Sequence, residues 1–209
     1  MYDNIEFFIK EFNVSRETIE KLNKYRDYLL ISNKIINLIG KSTEKHIYHR
    51  HFIDSAQIYN IIDKRLDIVD LGSGAGFPGL IVKLLLDNQN IKSNVILLEK
   101  SKKKSDFLSD LIEKLNLSAE IKNKKLEEYN FKNQSTVVAR AFKKAKETLD
   151  LLYPSIYNIK EIILLKGKTY QQEIQDAKKK YTFNLEKFRS VTSNESFIIK
   201  ITDVKRHAT

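Results

Sequence analysis

Cysteine does not occur among the 209 residues, so disulfides, thiolate metal sites and cysteine nucleophiles are excluded by inventory. No apolar run approaches the roughly 20 residues that a membrane-spanning helix requires. The N-terminus carries Asp3 and Glu6 rather than a basic leader followed by an apolar segment, so a cytoplasmic protein with no membrane partner is expected. Internal repeats are lacking, and so are low-complexity linkers beyond short lysine clusters. Acidic residues are the minority charge: 27 Asp and Glu stand against 37 Lys and Arg, a formal net charge of +10. A field of that sign attracts polyanions and raises their encounter rate, which makes nucleic acid the leading partner. A lysine-rich surface from a biased codon composition has the same net charge, so the placement of the lysines has to decide.

The length suffices for one domain with a full core plus a small appendage. Across residues 15–38, Ile19, Leu22, Tyr25, Leu29 and Ile36 recur at mostly helical spacing, and Ser15 with Thr18 forms an imperfect cap. Residues 1–62 therefore read as a helical extension. The period then shortens to that of a strand at 66–71, stops at glycines, and becomes helical again over 77–86. Further strands are expected at 94–99, 119–123, 136–140 and 161–166, with helices near 103–116 and 145–157. Such alternation predicts an α/β fold over 63–209, a Rossmann-like, mostly parallel sheet covered on both faces. Segments 181–191 and 196–204 are expected to close it as an antiparallel hairpin.

The chemistry concentrates at Asp70-Leu71-Gly72-Ser73-Gly74-Ala75-Gly76-Phe77-Pro78-Gly79. Ligands of open parallel sheets bind beyond the carboxyl ends of the strands, where glycines admit positive φ and the next helix presents free N–H groups. Pro78 suits a first helical turn, where its missing N–H would have no partner. The stretch also satisfies G-x-G-x-x-G, which alone is a weak signal for a dinucleotide. Asp70, directly before the loop, favours a ligand ammonium and disfavours a pyrophosphate. Glu99, at the end of the next strand, suits both hydroxyls of a ribose. An adenosine-containing cofactor with an amino-acid end and no phosphate meets both demands, and S-adenosylmethionine is such a molecule. Asp70, Gly72, Gly74, Gly76 and Glu99 are the candidate cofactor residues on this reading.

Six segments in order carry a wider resemblance: Asn33-Lys34-Ile35-Ile36-Asn37-Leu38; Arg50-His51-Phe52-Ile53-Asp54-Ser55; the glycine stretch; Leu97-Leu98-Glu99 before a lysine-rich helix; Ala139-Arg140-Ala141-Phe142; and Leu165-Lys166-Gly167. Over most of its length the chain resembles the bacterial 16S ribosomal RNA guanine-N7 methyltransferases of the glucose-inhibited division protein B family. That resemblance implies a methyltransferase core behind N-terminal helices and methyl transfer to a guanine of the 530 loop, guanosine 527, in 16S ribosomal RNA or the small ribosomal subunit. It implies that Leu126, Glu127 and Arg140 join Gly72 and Phe77 at the cofactor, and that Arg50, His51 and Asp54 border the mouth of the site. Three positions depart from the pattern: Ser32 replaces a tryptophan, Ala139 a serine, and Ser196, after Glu195, an arginine.

Guanine N7 has a lone pair and no proton, so its methylation needs alignment rather than a general base. Arg140 and Lys166 are the candidate catalytic residues, the first orienting substrate or cofactor and the second reaching phosphate or base. A surface ion pair and a strand-end lysine are their ordinary alternatives. Lys102, Lys103 and Lys104 stand at a helix N-terminus, oppose its dipole and need another partner, which makes them candidate RNA contacts, joined by Lys143 after the fourth strand, by Lys166 at the end of the fifth and, through the resemblance, by Arg50. His46, His49 and His51 lack the carboxylate pattern of a metal site, so none is expected. A monomer is expected. A same-fold methyltransferase with another substrate, a nicotinamide-dependent oxidoreductase and an RNA-binding assembly factor without chemistry remain as alternatives.

Overall fold

The computed structural model describes residues 5–208; residues 1–4 of the expected helical extension, Asp3 among them, lie outside that range. Two helices open the chain, α1 (Ile5–Phe12) and α2 (Arg16–Ile36). Ser15 caps α2 by accepting the Thr18 N–H at 3.2 Å. The helix buries Leu22, Tyr25, Leu29 and Asn33, spaced by three or four residues as one face requires. It ends at Asn37 in the left-handed region with φ 45°, a role usually taken by glycine. Asn33 secures that end, its Oδ1 accepting the N–H groups of Leu38 and Ile39 and its Nδ2 donating to Glu44.

Residues 41–60 coil tightly: a 3-10 turn (Lys41–His46), a π-helical stretch (Tyr48–Ile53), the short α3 (Asp54–Ala56) and a second 3-10 turn (Gln57–Asn60). Next come β1 (Asp67–Leu71), α4 (Gly79–Asn88), β2 (Val95–Leu98), α5 (Lys102–Leu115), β3 (Glu120–Lys122) and β4 (Ser135–Arg140). The chain continues through α6 (Ala145–Leu152), β5 (Ile159–Lys166), α7 (Tyr170–Lys178), β6 (Tyr181–Arg189) and β7 (Phe197–Arg206). The sheet order is β3-β2-β1-β4-β5-β7-β6. β1 to β5 are mutually parallel, and β7 runs antiparallel to both β5 and β6. The expected Rossmann-like sheet and closing hairpin are therefore present.

Two cores flank the sheet. One packs Phe8, Leu22, Tyr25 and Leu29 from the N-terminal helices against Leu80 and Leu84 of α4, Phe107 and Leu111 of α5 and the sheet residue Ile68. The other packs Leu149, Leu152, Tyr170 and Ile174 of α6 and α7 against Val69, Leu71 and Leu98. Alternate residues of β1 thus face opposite cores, as the period of two demands. Strand order reverses between β1 and β4, and the crevice beyond their carboxyl ends is where a ligand site forms.

Three sequence expectations shift. The helix after the glycines starts at Gly79, with Pro78 just before it rather than inside it. α6 stops at Leu152 and passes into a 3-10 turn (Tyr153–Asn158), because Pro154 has no N–H to continue it. α7 has no counterpart among the expected elements.

Candidate active site

The glycine turn is built by its neighbours as much as by its glycines. Gly72, Gly74 and Gly76 adopt φ of 66°, 56° and 96°. A Cβ at Gly76 would lie 2.5 Å from the Tyr25 hydroxyl, and one at Gly79 would lie 2.8 Å from Oδ2 of Asp70. Tyr25, on α2, donates its hydroxyl to the Ala75 carbonyl and stacks on Phe77 with ring centroids 5.5 Å apart. Beneath the turn, Asp70 is fully buried and its Oδ2 accepts the Gly79 N–H at 3.0 Å. Its Oδ1 is buried and has no hydrogen-bond partner among the described residues. Burial pushes the Asp70 carboxyl up to about 7, against the opposing pull of the Gly79 N–H and Arg140. Asp70, expected from the sequence to face a ligand at the strand end, lies buried beneath the turn. β1 runs on to Leu71, and Leu71, not Asp70, lines the cleft.

Two clefts open at this end of the sheet. The first, about 490 Å³, is lined by Leu71, Gly72, Leu98, Glu99, Leu126 and Glu127, with Lys100, Lys104, Lys124 and Lys125 around it. Glu99 is nearly buried, its two carboxylate oxygens accepting the N–H groups of Gly74 and Ser101 at 2.9 and 2.8 Å. Each oxygen keeps a second lone pair for a ligand hydroxyl. Sequence reasoning reached Gly72 and Glu99 from the residues, and Leu126 and Glu127 only through the resemblance. Gly74, Gly76 and Phe77 are not in the lining; they shape the turn behind it. Volume, apolar walls and a polar carboxylate at one end fit an adenosine-bearing cofactor.

The second cleft, about 390 Å³, is lined by Asp54, Gln57, Arg140, Lys166, Glu173 and Phe197 among others. Arg140 is clamped there. Its Nη1 donates to the Arg50 carbonyl at 3.1 Å and to Oδ2 of Asp54 at 3.3 Å, its Nη2 lies 2.9 Å from Nδ1 of His51, and Phe77 lies under the guanidinium at 4.7 Å. A guanidinium only donates, so Nδ1 of His51 accepts, and Nε2–H donates to the Thr43 hydroxyl 2.8 Å away. Burial, then the charges of Arg140 and Arg50, push His51 down to about 3, which keeps that ring neutral. Asp54 is held in turn by Thr192 and Gln57 at 2.7 and 3.0 Å.

Lys166 donates to Glu173 on α7 at 2.8 Å and to the Lys143 carbonyl, with its side chain only 12% exposed. Glu173 also accepts the Ala145 N–H that opens α6. The structure therefore presents Lys166 as half of an ion pair in the cleft wall. Of the RNA candidates, Lys104 and Lys143 line the clefts, Lys102 pairs with Asp106, and Lys103 and Arg50 are exposed. Among the described residues no group of three His, Asp or Glu side chains could hold a metal ion. No helix among them is long and apolar enough to cross a membrane.

Tyr25, Phe142, Glu173 and Thr192 belong to the site and were not singled out for it by sequence. A signal exists for Tyr25, as the member of the buried stripe of α2 that falls opposite the glycine turn, and for Phe142, as the last residue of the Ala139-Arg140-Ala141-Phe142 segment.

Strand order, glycine turn and the cleft that Glu99 closes beside Leu71, Leu98 and Leu126 define a Rossmann-like methyltransferase that uses S-adenosylmethionine. Solved structures share this fold: M. capricolum TrmK in complex with S-adenosyl-homocysteine superposes with TM-score 0.53 at 14% identity, over 71% of this chain and 66% of that one. A chain of the Pnkp1/Rnl/Hen1 RNA repair complex does so at 0.55 and 12%, over 72% and 41%. The profile of the family described as rRNA small subunit methyltransferase G matches residues 18–200. The Ribosomal RNA small subunit methyltransferase G of Pelagibacter ubique is 35% identical over 201 residues, 95% of this chain and 94% of its own. That of Orientia tsutsugamushi strain Ikeda is 35% identical over 198 residues, 94% and 96%. The chain belongs to the rRNA small subunit methyltransferase G family.

Proposed function

We propose that this enzyme methylates N7 of one guanine in the 530 loop of 16S ribosomal RNA, acting as a monomer on RNA or the small subunit in the cytoplasm. The observation that carries this reading is the state of the ionisable groups beside the second cleft. Asp54 is paired with Arg140, Glu173 with Lys166, and His51 is neutral with both ring nitrogens engaged. Such a site is built to align rather than to take up a proton, and guanine N7 carries a lone pair and no proton to remove.

When bound, S-adenosylmethionine supplies a sulfonium methyl group. Glu99 would hold its ribose, Leu126 and Glu127 its adenine end, and Gly72 would let it approach the backbone. Asp70, Gly74, Gly76 and Phe77 act by fixing the turn. Arg140 orients the reacting groups from its clamp, with Lys166 beside it. Arg50, Lys102, Lys103, Lys104 and Lys143 meet RNA phosphates, and residues 1–62 serve as a helical extension of the 63–209 core. The test is transfer of radiolabelled methyl to unmethylated small subunits, with the product cleaved at N7-methylguanine. Label at one guanine of the 530 loop is expected; label elsewhere, or cofactor binding without RNA label, overturns the assignment.

A further inference from the structure

The two clefts have a common wall: Ala141, Phe142 and Lys143 line both. Among the described residues Phe142 is the one aromatic side chain that the linings share. The chain reaches this wall through a costly conformation. Ala141, directly after Arg140, has φ 51°, a left-handed value that an alanine adopts only under constraint from its surroundings. The turn lays the Phe142 ring on Gly72, so closely that a Cβ there would lie 2.9 Å from the ring edge. Phe142 is half-buried by this packing, and its remaining surface is presented at the junction of the clefts. A strained backbone that sets an apolar ring between a cofactor cleft and a cleft walled by ion pairs calls for a partner with a flat face.

We infer that the second cleft receives the target guanine turned out of its RNA stack, and that Phe142 is the ring on which this base rests. The inference rests on the N7 reading above. Bases of RNA loops can be splayed out of their stack and set on an aromatic side chain, and in-line transfer requires N7 to be brought to the junction with the cofactor cleft, so the base has to leave its stack. In the transfer, the N7 lone pair forms the bond to the methyl carbon as the carbon–sulfur bond breaks and its electron pair stays on sulfur. No proton moves. Positive charge thereby passes from sulfur to the purine, and an aromatic face favours the cationic base over the neutral one. Three of the five N–H groups of Arg140 are committed to Arg50, Asp54 and His51, which fixes the guanidinium in the wall of the second cleft beside the base.

The test compares wild type, Phe142→Leu and Phe142→Tyr on unmethylated small subunits under single-turnover conditions, with S-adenosylmethionine affinity measured by calorimetry. With S-adenosylmethionine saturating, Phe142→Leu is expected to slow transfer by about tenfold or more, a larger change than that in cofactor affinity at this shared wall, and Phe142→Tyr to restore the rate to within about threefold of wild type. Ultraviolet irradiation of the wild-type complex is expected to join the acceptor guanine to Phe142, as read by mass spectrometry. An unchanged rate in Phe142→Leu, cofactor affinity lost in step with rate, or a cross-link of that guanine to another side chain overturns the inference. If Phe142→Leu does not fold, the cross-link and Phe142→Tyr decide it. Wild type that labels no guanine at N7 fails the functional reading first and this inference with it.

Discussion

Arg140 meets four unlike groups at once: a backbone carbonyl, a carboxylate, an imidazole and an aromatic face. Only a planar fork of donors satisfies such an arrangement; a lysine offers one rotating ammonium. Arg140→Ala is therefore expected to lower methyl transfer by about 100-fold or more through lost alignment. It should also cost about 1–3 kcal/mol of stability, because Asp54 and His51 lose their shared partner. Single-turnover rates and urea midpoints measure the two effects, and wild-type turnover would remove Arg140 from the mechanism.

Two groups below and beside the turn titrate in opposite senses. His51 in the folded chain is held at about 3, below its ordinary 6.5. The unfolded chain thus takes up a proton first, and the stability His51 contributes above pH 6.5 is lost as pH falls from 6.5 toward 3. Asp70 is held at about 7, above its ordinary 3.8. The folded chain keeps the proton longer, so the stability it contributes below pH 3.8 is lost as pH rises through 7. Asp70→Asn cannot titrate, and its stability relative to wild type is expected to improve steadily from pH 4 to pH 8. A difference that stays flat with pH would mean that Asp70 is already ionised in the fold.

At the scale of elements, α2, packed with α4 and α5 on one face of the sheet, holds a loop 50 residues away in sequence through the Tyr25 hydroxyl on Ala75. Tyr25→Phe keeps the stacking on Phe77 and leaves the buried Ala75 carbonyl unpaired. The expected result is a loss of about 1 kcal/mol in stability and a several-fold weaker cofactor affinity. Unchanged affinity would show that the turn holds its shape alone.

The alternating elements were legible in the sequence because helix and strand periods are local properties. α7 was not, since its buried stripe of Tyr170, Ile174 and Ala177 is thin within a lysine-rich stretch. Gly72 and Glu99 were legible because glycines before a helix and an acid after a strand point to a ligand by position alone. The orientation of Asp70 depends on which core β1 faces with its even residues, and no local pattern reports that. The clamp on Arg140 joins positions about ninety residues apart, and the turn at Ala141 uses an alanine where a glycine would have signalled it.

For the molecule as a whole, the question is whether the surplus of base acts as a general field or through particular contacts. The lysines of the cleft rims stand at the carboxyl end of the parallel strands, whereas Lys92, Lys132 and Lys160 are exposed at the opposite end. Reversing Lys102, Lys103 and Lys104 to Glu shifts the formal charge of +10 by the same amount as reversing Lys92, Lys132 and Lys160. A general field predicts equal losses of RNA affinity from both triples. Local phosphate contacts predict that only the first triple flattens the dependence of affinity on salt, by about 0.7 to 0.9 in log–log slope for each contact removed. Lys102 already has Asp106 as a partner, so the expected change corresponds to about two contacts rather than three. Equal slopes for both triples would return these lysines to a solvated surface and leave Arg50 and Lys143 as the remaining candidates for holding the RNA.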